Sequence, residues 1–104
     1  MRERRNSQRK KVLLEAKWES MSHRHEARVD DVSVGGCFVN TYGHVELNEL
    51  VELQILSPAG EWLALRGRVA SYQQGVGFGL SFNLNSEEEK AVKELIASVA
   101  ERSI

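Results

Sequence analysis

Apolar residues recur at every second position along most of this chain, and only near the C-terminus does the spacing change to that of a helix. Val51, Leu53 and Ile55 alternate with Glu52 and Gln54, which predicts a strand over Leu50–Leu56 with one wet face. Ser57–Gly60 then turns the chain. Trp62–Tyr72 follows, with Leu63, Leu65 and Val69 on one side and Arg66 and Arg68 on the other. Val76, Phe78, Leu80 and Phe82 make the clearest period-two run, opposed by Gly77, Gly79 and Ser81. Nearer the N-terminus, Val12–Trp18 is a strand with Val12, Leu14 and Ala16 on one face. His25–Val32 is another, in which Ala27, Val29 and Asp31 share a side unless the strand twists or bulges first; the sequence leaves both outcomes open. Val34, Gly35 and Gly36 turn this strand into Cys37–Asn40, predicting a hairpin.

Ser86 followed by Glu89 is a capping-box sequence, and Ala91, Val92, Leu95, Ile96 and Val99 form an apolar stripe at helical spacing. The helix runs to about Val99 and is expected to pack on the sheet or cover a barrel end. Six short strands and one terminal helix favour a closed or nearly closed antiparallel β-barrel with a C-terminal α-helix, since parallel pairing would need more crossover helices. Closure also removes the sheet edges that invite aggregation.

At 104 residues the chain makes one domain, and 41% hydrophobic with 28% charged residues is enough for a packed core. The lone Cys37 has no internal disulfide partner, and the first residues are charged where a signal peptide would be apolar, so a cytoplasmic location is expected. No apolar run reaches the length of a membrane-spanning helix, so membrane insertion is not expected. Charge is sorted along the chain. Residues 1–11 carry +5 while the rest carries −6, a basic arm ahead of an acidic body spanning 12–104. Such an arm attracts anions of many kinds, and charge does not choose among them.

The candidate chemistry lies in two motifs. Arg4, Arg5 and Arg9 cluster in the arm; guanidinium groups fork onto phosphate oxygens or onto the O6/N7 edge of guanine. Asp31, Ser33, Gly35 and Gly36 follow at the predicted hairpin, where a carboxylate can accept from the N–H donors on guanine's other edge. The serine and the glycine turn supply small donors and let a ligand approach the backbone.

Each motif has a plainer reading. Alone, the arginines are a solvated basic tail, and Asp31 with Ser33 satisfies its own turn. The Gly75, Gly77, Gly79 run opens no helix and has no acidic partner at dinucleotide-fold spacing, so it reads as a barrel strand, with Gly77 a bare surface for a ligand. His23 and His25 lie two apart, but His44 and Cys37 add no metal-ligand spacing, and the histidines are expected to be exposed hairpin residues. Cys37 and Trp18 are expected in the core, while Trp62 and Tyr72 fit a core or a partner patch. No histidine is placed to activate Ser33, so no catalysis and no cofactor are expected.

Arg5 and Arg9, then Asp31, Ser33 and Gly36, then the strand of Gly75, Gly77 and Phe78 resemble, in order, the PilZ domain over nearly the whole chain. The resemblance implies a non-catalytic bacterial receptor for cyclic di-GMP, a six-stranded barrel with the arginine arm wrapping the ligand against its outer surface. Arg5 and Arg9 would hold phosphates and guanine Hoogsteen edges, Asp31 guanine N–H groups, and Ser33 and Gly36 would meet the ligand through hydroxyl and backbone. Arg4 would stack on or pin a second base. The arm is expected to be mobile without ligand and clamped by it, presenting a new surface to a partner protein. The rivals are a ligand-independent adaptor and a small nucleic-acid-binding barrel; the acidic body and 7% aromatics argue against the latter.

Overall fold

A computed structural model describes residues 10–20 and 24–102. Arg4, Arg5, Arg9 and His23 lie outside the described residues. The expected six-stranded barrel with a terminal helix is what forms. The strands are β1 Lys10–Glu19, β2 Arg24–Ser33, β3 Gly36–Asn40, β4 Leu50–Leu56, β5 Trp62–Gln73 and β6 Gly77–Phe82, followed by helix α1 Ser86–Arg102. Around the barrel the order is β1-β2-β3-β6-β5-β4, and β4 pairs back onto β1, every pairing antiparallel.

The alternation read from the sequence decides which faces are inside. Val51, Leu53 and Ile55 are fully buried, as are Val29, Val39, Val69 and Phe78, while Leu65 and Leu80 are nearly so. Each such side chain contributes roughly 1.5–3 kcal/mol of burial. Val92 and Leu95 of α1 complete this core, with Ile96, Val99 and Leu84 packed at its margin, and the helix rests against β2. The helix begins one residue earlier in its capping than the sequence suggests. Asn85 is the cap: its Oδ1 accepts from Glu88 N–H at 2.8 Å, and Glu88 Oε1 accepts from Asn85 N–H at 2.9 Å. Ser86 is the first helical residue instead.

Trp18 is the largest fully buried side chain. Burying an indole requires a partner for its N–H, and Trp18 Nε1 donates to Thr41 Oγ1 at 3.1 Å. The same hydroxyl accepts from Gly43 N–H at 3.3 Å. Phe78 meets the indole edge-on at a centroid distance of 5.2 Å, and His25 stacks on it at 4.6 Å. His25 is therefore half-buried against Trp18 rather than an exposed hairpin residue. His44, by contrast, is exposed, 2.8 Å from Glu46 Oε2. Cys37 is buried in the core as expected.

The run Val76, Phe78, Leu80, Phe82 is shorter than its alternation implied. Val76 lies in the turn before β6 and is about half exposed; Phe78 and Leu80 face inward.

Thr41→Val keeps the shape of the side chain and removes the acceptor for two buried N–H groups. It is expected to cost about 1–3 kcal/mol, read as a lower urea midpoint at unchanged m-value. An unchanged midpoint would show that the Trp18 end of the barrel does not depend on this hydroxyl.

Candidate ligand-binding site

An unbroken strand would place Asp31 on the inner face with Ala27 and Val29, where a carboxylate is costly. The strand is broken there. Between β2 and β3, Val29 pairs with Val39 but Asp31 pairs with Phe38, leaving Asp30 unmatched. Between β1 and β2, Lys11 pairs with Asp31 and Leu14 with Val29, so Val12 and Leu13 face Asp30 alone. The slip advances the inner face from Val29 to Val32, both fully buried, and turns Asp31 to the outside, half-buried. Leu13 is pushed out by the same slip and is 72% exposed.

Asp31 Oδ1 accepts from the backbone N–H of its pairing partner Phe38 at 3.2 Å, satisfying a ladder donor at the bulge. A carboxylate accepts several hydrogen bonds at once, so this tie is compatible with accepting from a ligand. Ser33 is buried. Its Oγ accepts from Gly35 N–H at 3.2 Å and donates to the Gly36 carbonyl at 3.3 Å, stapling the Val34–Gly35 turn. The plain reading of Ser33, a side chain serving its own turn, thus accounts for these contacts.

The hairpin is pressed onto β6. Gly35 O accepts from Phe82 N–H at 2.9 Å, and Gly36 pairs with Ser81. A Cβ on Gly36 would run into the carbonyl oxygen of Leu80. Gly77 sits at the other end of β3, opposite Asn40, with φ +153°, and a Cβ there would meet the carbonyl oxygen of Val39. Asp31, Ser33, Gly35 and Gly36 thus converge on one hairpin, while Gly77 lies a strand length away, its missing side chain accounted for by the close approach of β3.

β1 begins beside this hairpin. Lys10, its first residue, pairs with Val32, and Lys11 with Asp31. The chain that carries Arg4, Arg5 and Arg9 therefore joins the barrel next to Asp31 and Ser33.

Sequence reasoning did not single out Phe38. It lies on β3 between the inward-facing Cys37 and Val39, so it points outward, half-buried, and it stands outside the core cluster. An aromatic on the wet face of a strand was the available signal, and it became legible only once the direction of Cys37 and Val39 was known. Elsewhere, a cleft of about 950 Å³ crosses the outer face of β1 and β2. Its walls include Trp62 and the 90%-exposed Tyr42, and Lys17 Nζ lies 4.5 Å over the Trp62 ring. Glu15, Lys17, Glu26 and Arg28 line it with both signs of charge, and none of the four clustered hairpin residues does. Among the described residues no three His, Cys, Asp or Glu side chains converge as a metal site would need, and no helix is long and apolar enough to cross a membrane.

Comparison with known proteins is consistent with this geometry. The family model described as PilZ domain matches residues 3–100. A crystal structure of the PilZ domain of CeSA from a cellulose-synthesizing bacterium superposes with TM-score 0.73 at 20% identity, covering 89% of this chain and 98% of that one. The Bacillus subtilis inhibitor of motility MotI/DgrA superposes with TM-score 0.74 at 15% identity over 97% of this chain, which spans 52% of the other. At these identities the likeness is one of fold. A search of curated proteins gave no significant match.

Gly36→Ala and Gly77→Ala each force backbone to move and are expected to destabilise the barrel by about 1–3 kcal/mol. Thermal unfolding checks this: a Tm within 2 °C or so of the parent for either variant would contradict the close approach.

Proposed function

The chain belongs to the PilZ family, and on that footing we propose that it is a receptor for cyclic di-GMP that passes the signal to a partner protein. PilZ domains as a family are cyclic di-GMP receptors and binding or adaptor domains, not enzymes. The observation that carries the reading is the register of β1: with Lys10 opposite Val32 and Lys11 opposite Asp31, the arginine segment enters the barrel at the hairpin that holds the acidic and glycine motif. This supports the reading because groups of both signs, suited to opposite edges of guanine and to the phosphates between two guanines, then belong to chain segments that adjoin at the start of β1.

In this proposal Arg5 and Arg9 fork onto phosphates and Hoogsteen edges, Arg4 covers a second base, and Asp31 accepts from guanine N–H groups. Ser33, Gly35 and Gly36 supply the tight turn that a ligand can approach, and Gly77 acts at one remove by letting β3 lie close to β6. No catalysis, metal or cofactor enters. The ligand's two negative charges draw the arm onto the barrel, and the surface made of arm plus nucleotide is what a partner reads, in the cytoplasm of a bacterium.

A second reading, an adaptor that needs no ligand, is favoured by one observation: the exposed Trp62, Tyr42 and Val76 around the β1–β2 cleft, residues suited to protein contact. The mixed charge of that cleft argues against a nucleic-acid groove.

Isothermal titration with cyclic di-GMP, with GTP and cyclic di-AMP as controls, tests the reading. Selective micromolar or tighter binding is expected. Arg5→Ala, Arg9→Ala and Asp31→Ala should each weaken it about tenfold to a hundredfold, since a hydrogen bond to a charged group is worth roughly 1.5–3 kcal/mol. Asp31→Asn retains an oxygen for Phe38 N–H, and so separates loss of ligand contact from loss of the bulge. No binding by the parent chain would leave the adaptor reading in its place.

A further inference from the structure

The outer face beside Asp31 is a continuous row across four strands. Asp31 of β2 pairs with Phe38 of β3, Phe38 with Gly79 of β6, and Gly79 with Ser71 of β5. Residues directly opposite on antiparallel strands project to the same side, with Cβ atoms roughly 4.5–5.5 Å apart. Ser71 Oγ lies 2.7 Å from where a Cβ of Gly79 would stand, so these two positions do share the outer face.

Both ends of the row depend on bulges. Asp30 is the unmatched residue on β2, and Ala70 is its counterpart on β5, where Val69 pairs with Leu80 but Ser71 with Gly79. Without these slips the alternation from Val29 and from Val69 would turn Asp31 and Ser71 into the core. With them, Val32 and Tyr72 take the inner positions and the two polar residues face out in one line. Bulges that re-aim single side chains are a recurrent device next to binding sites. Between the two polar ends stand an aromatic ring outside the core and a residue with no side chain.

Building on the cyclic di-GMP reading above, we propose that Phe38 is a further ligand-binding residue: the platform on which one guanine stacks while Asp31 holds that base's edge. The chemistry is complementary. Phe38 and Asp31 stand one strand spacing, about 4.8 Å, apart, so a purine stacked on the ring and extending toward β2 brings its N–H edge within hydrogen-bond reach of the carboxylate. Gly79 is buried beneath the Ser71 hydroxyl, which lies 2.7 Å from where its Cβ would stand, so the missing side chain makes room for that hydroxyl, and the hydroxyl bounds the platform on the side away from Asp31. Stacking is tolerant of base identity because every base has a π-face, whereas the carboxylate discriminates guanine's N–H edge from adenine's. Phe38 accordingly sets affinity and Asp31 sets selectivity.

Titrating cyclic di-GMP and cyclic di-AMP into Phe38→Ala, Phe38→Leu, Phe38→Trp and Asp31→Asn separates these roles, with circular dichroism melts confirming that each variant is folded. Phe38→Ala is expected to weaken cyclic di-GMP binding about tenfold or more while leaving the guanine-to-adenine ratio within about twofold. Phe38→Leu, which keeps apolar bulk but no π-face, should fall between it and the parent, and Phe38→Trp should bind at least as tightly as the parent. Asp31→Asn should instead collapse the ratio. If the parent binds and Asp31→Asn impairs it while Phe38→Ala changes the affinity less than twofold, the platform is refuted and the receptor reading stands. A Phe38→Leu variant as tight as the parent would likewise refute stacking. If the parent binds no cyclic di-GMP, the receptor reading fails and the platform with it.

Discussion

The barrel depends on a conflict being resolved in β2: a strand whose period is two must keep an apolar inner face from Val29 to Val32 while carrying Asp31 between them. A carboxylate turned inward would sit among Val29, Val39 and Cys37 with no cation beside it, a burial that costs several kcal/mol. The unmatched Asp30 removes the conflict by shifting the phase once. β1 must follow, which is why Val12 and Leu13 together face a single residue and why Leu13 is expelled to solvent. The local defect is thus shared by two neighbouring strands, and the closed hydrogen-bonding circuit survives it.

A second constraint acts on β3, the shortest strand. It is held between β2 and β6, and the two glycines at its ends, Gly36 on the strand and Gly77 opposite Asn40, stand where backbone approaches backbone too closely for a Cβ. The closeness draws the Ser33–Gly36 hairpin against β6, where Gly35 O meets Phe82 N–H. The turn that carries the motif is therefore fixed by three independent ties: the Ser33 staple, the Asp31 bond to Phe38 N–H and the contact with β6. Rigidity of this kind favours binding, because less ordering remains to be done when a ligand arrives.

How much of this was legible in the sequence follows from which signals are periodic. The six strands, the helix and the hairpin were legible because alternation and turn residues carry them; β4 is the plainest case, with Val51, Leu53 and Ile55 inward without exception. The bulges were not, because no glycine or proline marks Asp30 or Ala70, and a one-residue slip is decided by what the two flanking strands bury. The helix cap was missed by one residue for a related reason. Asn85 with Glu88 and Ser86 with Glu89 are equally good local pairs, and the tertiary position of the chain after Phe82 selects the first. Of the site, the hairpin cluster was legible as chemistry, while the membership of Phe38, Gly79 and Ser71 in its outer face needed the register.

Closure also limits where a signal can be carried. Every strand of the barrel is paired on both sides, so none has an edge from which to be displaced, and its inner face is packed against α1 through Val92 and Leu95. Moving any strand would break a ladder and expose core at the same time, which a ligand contributing a handful of charged hydrogen bonds does not offset. The chain ahead of Lys10 meets this framework beside the hairpin, where Lys10 pairs with Val32 and Lys11 with Asp31. On the proposed receptor reading a response to ligand is therefore sought outside the closed circuit, and the arginine motif lies in sequence immediately before the β1 residues that pair with the acidic motif.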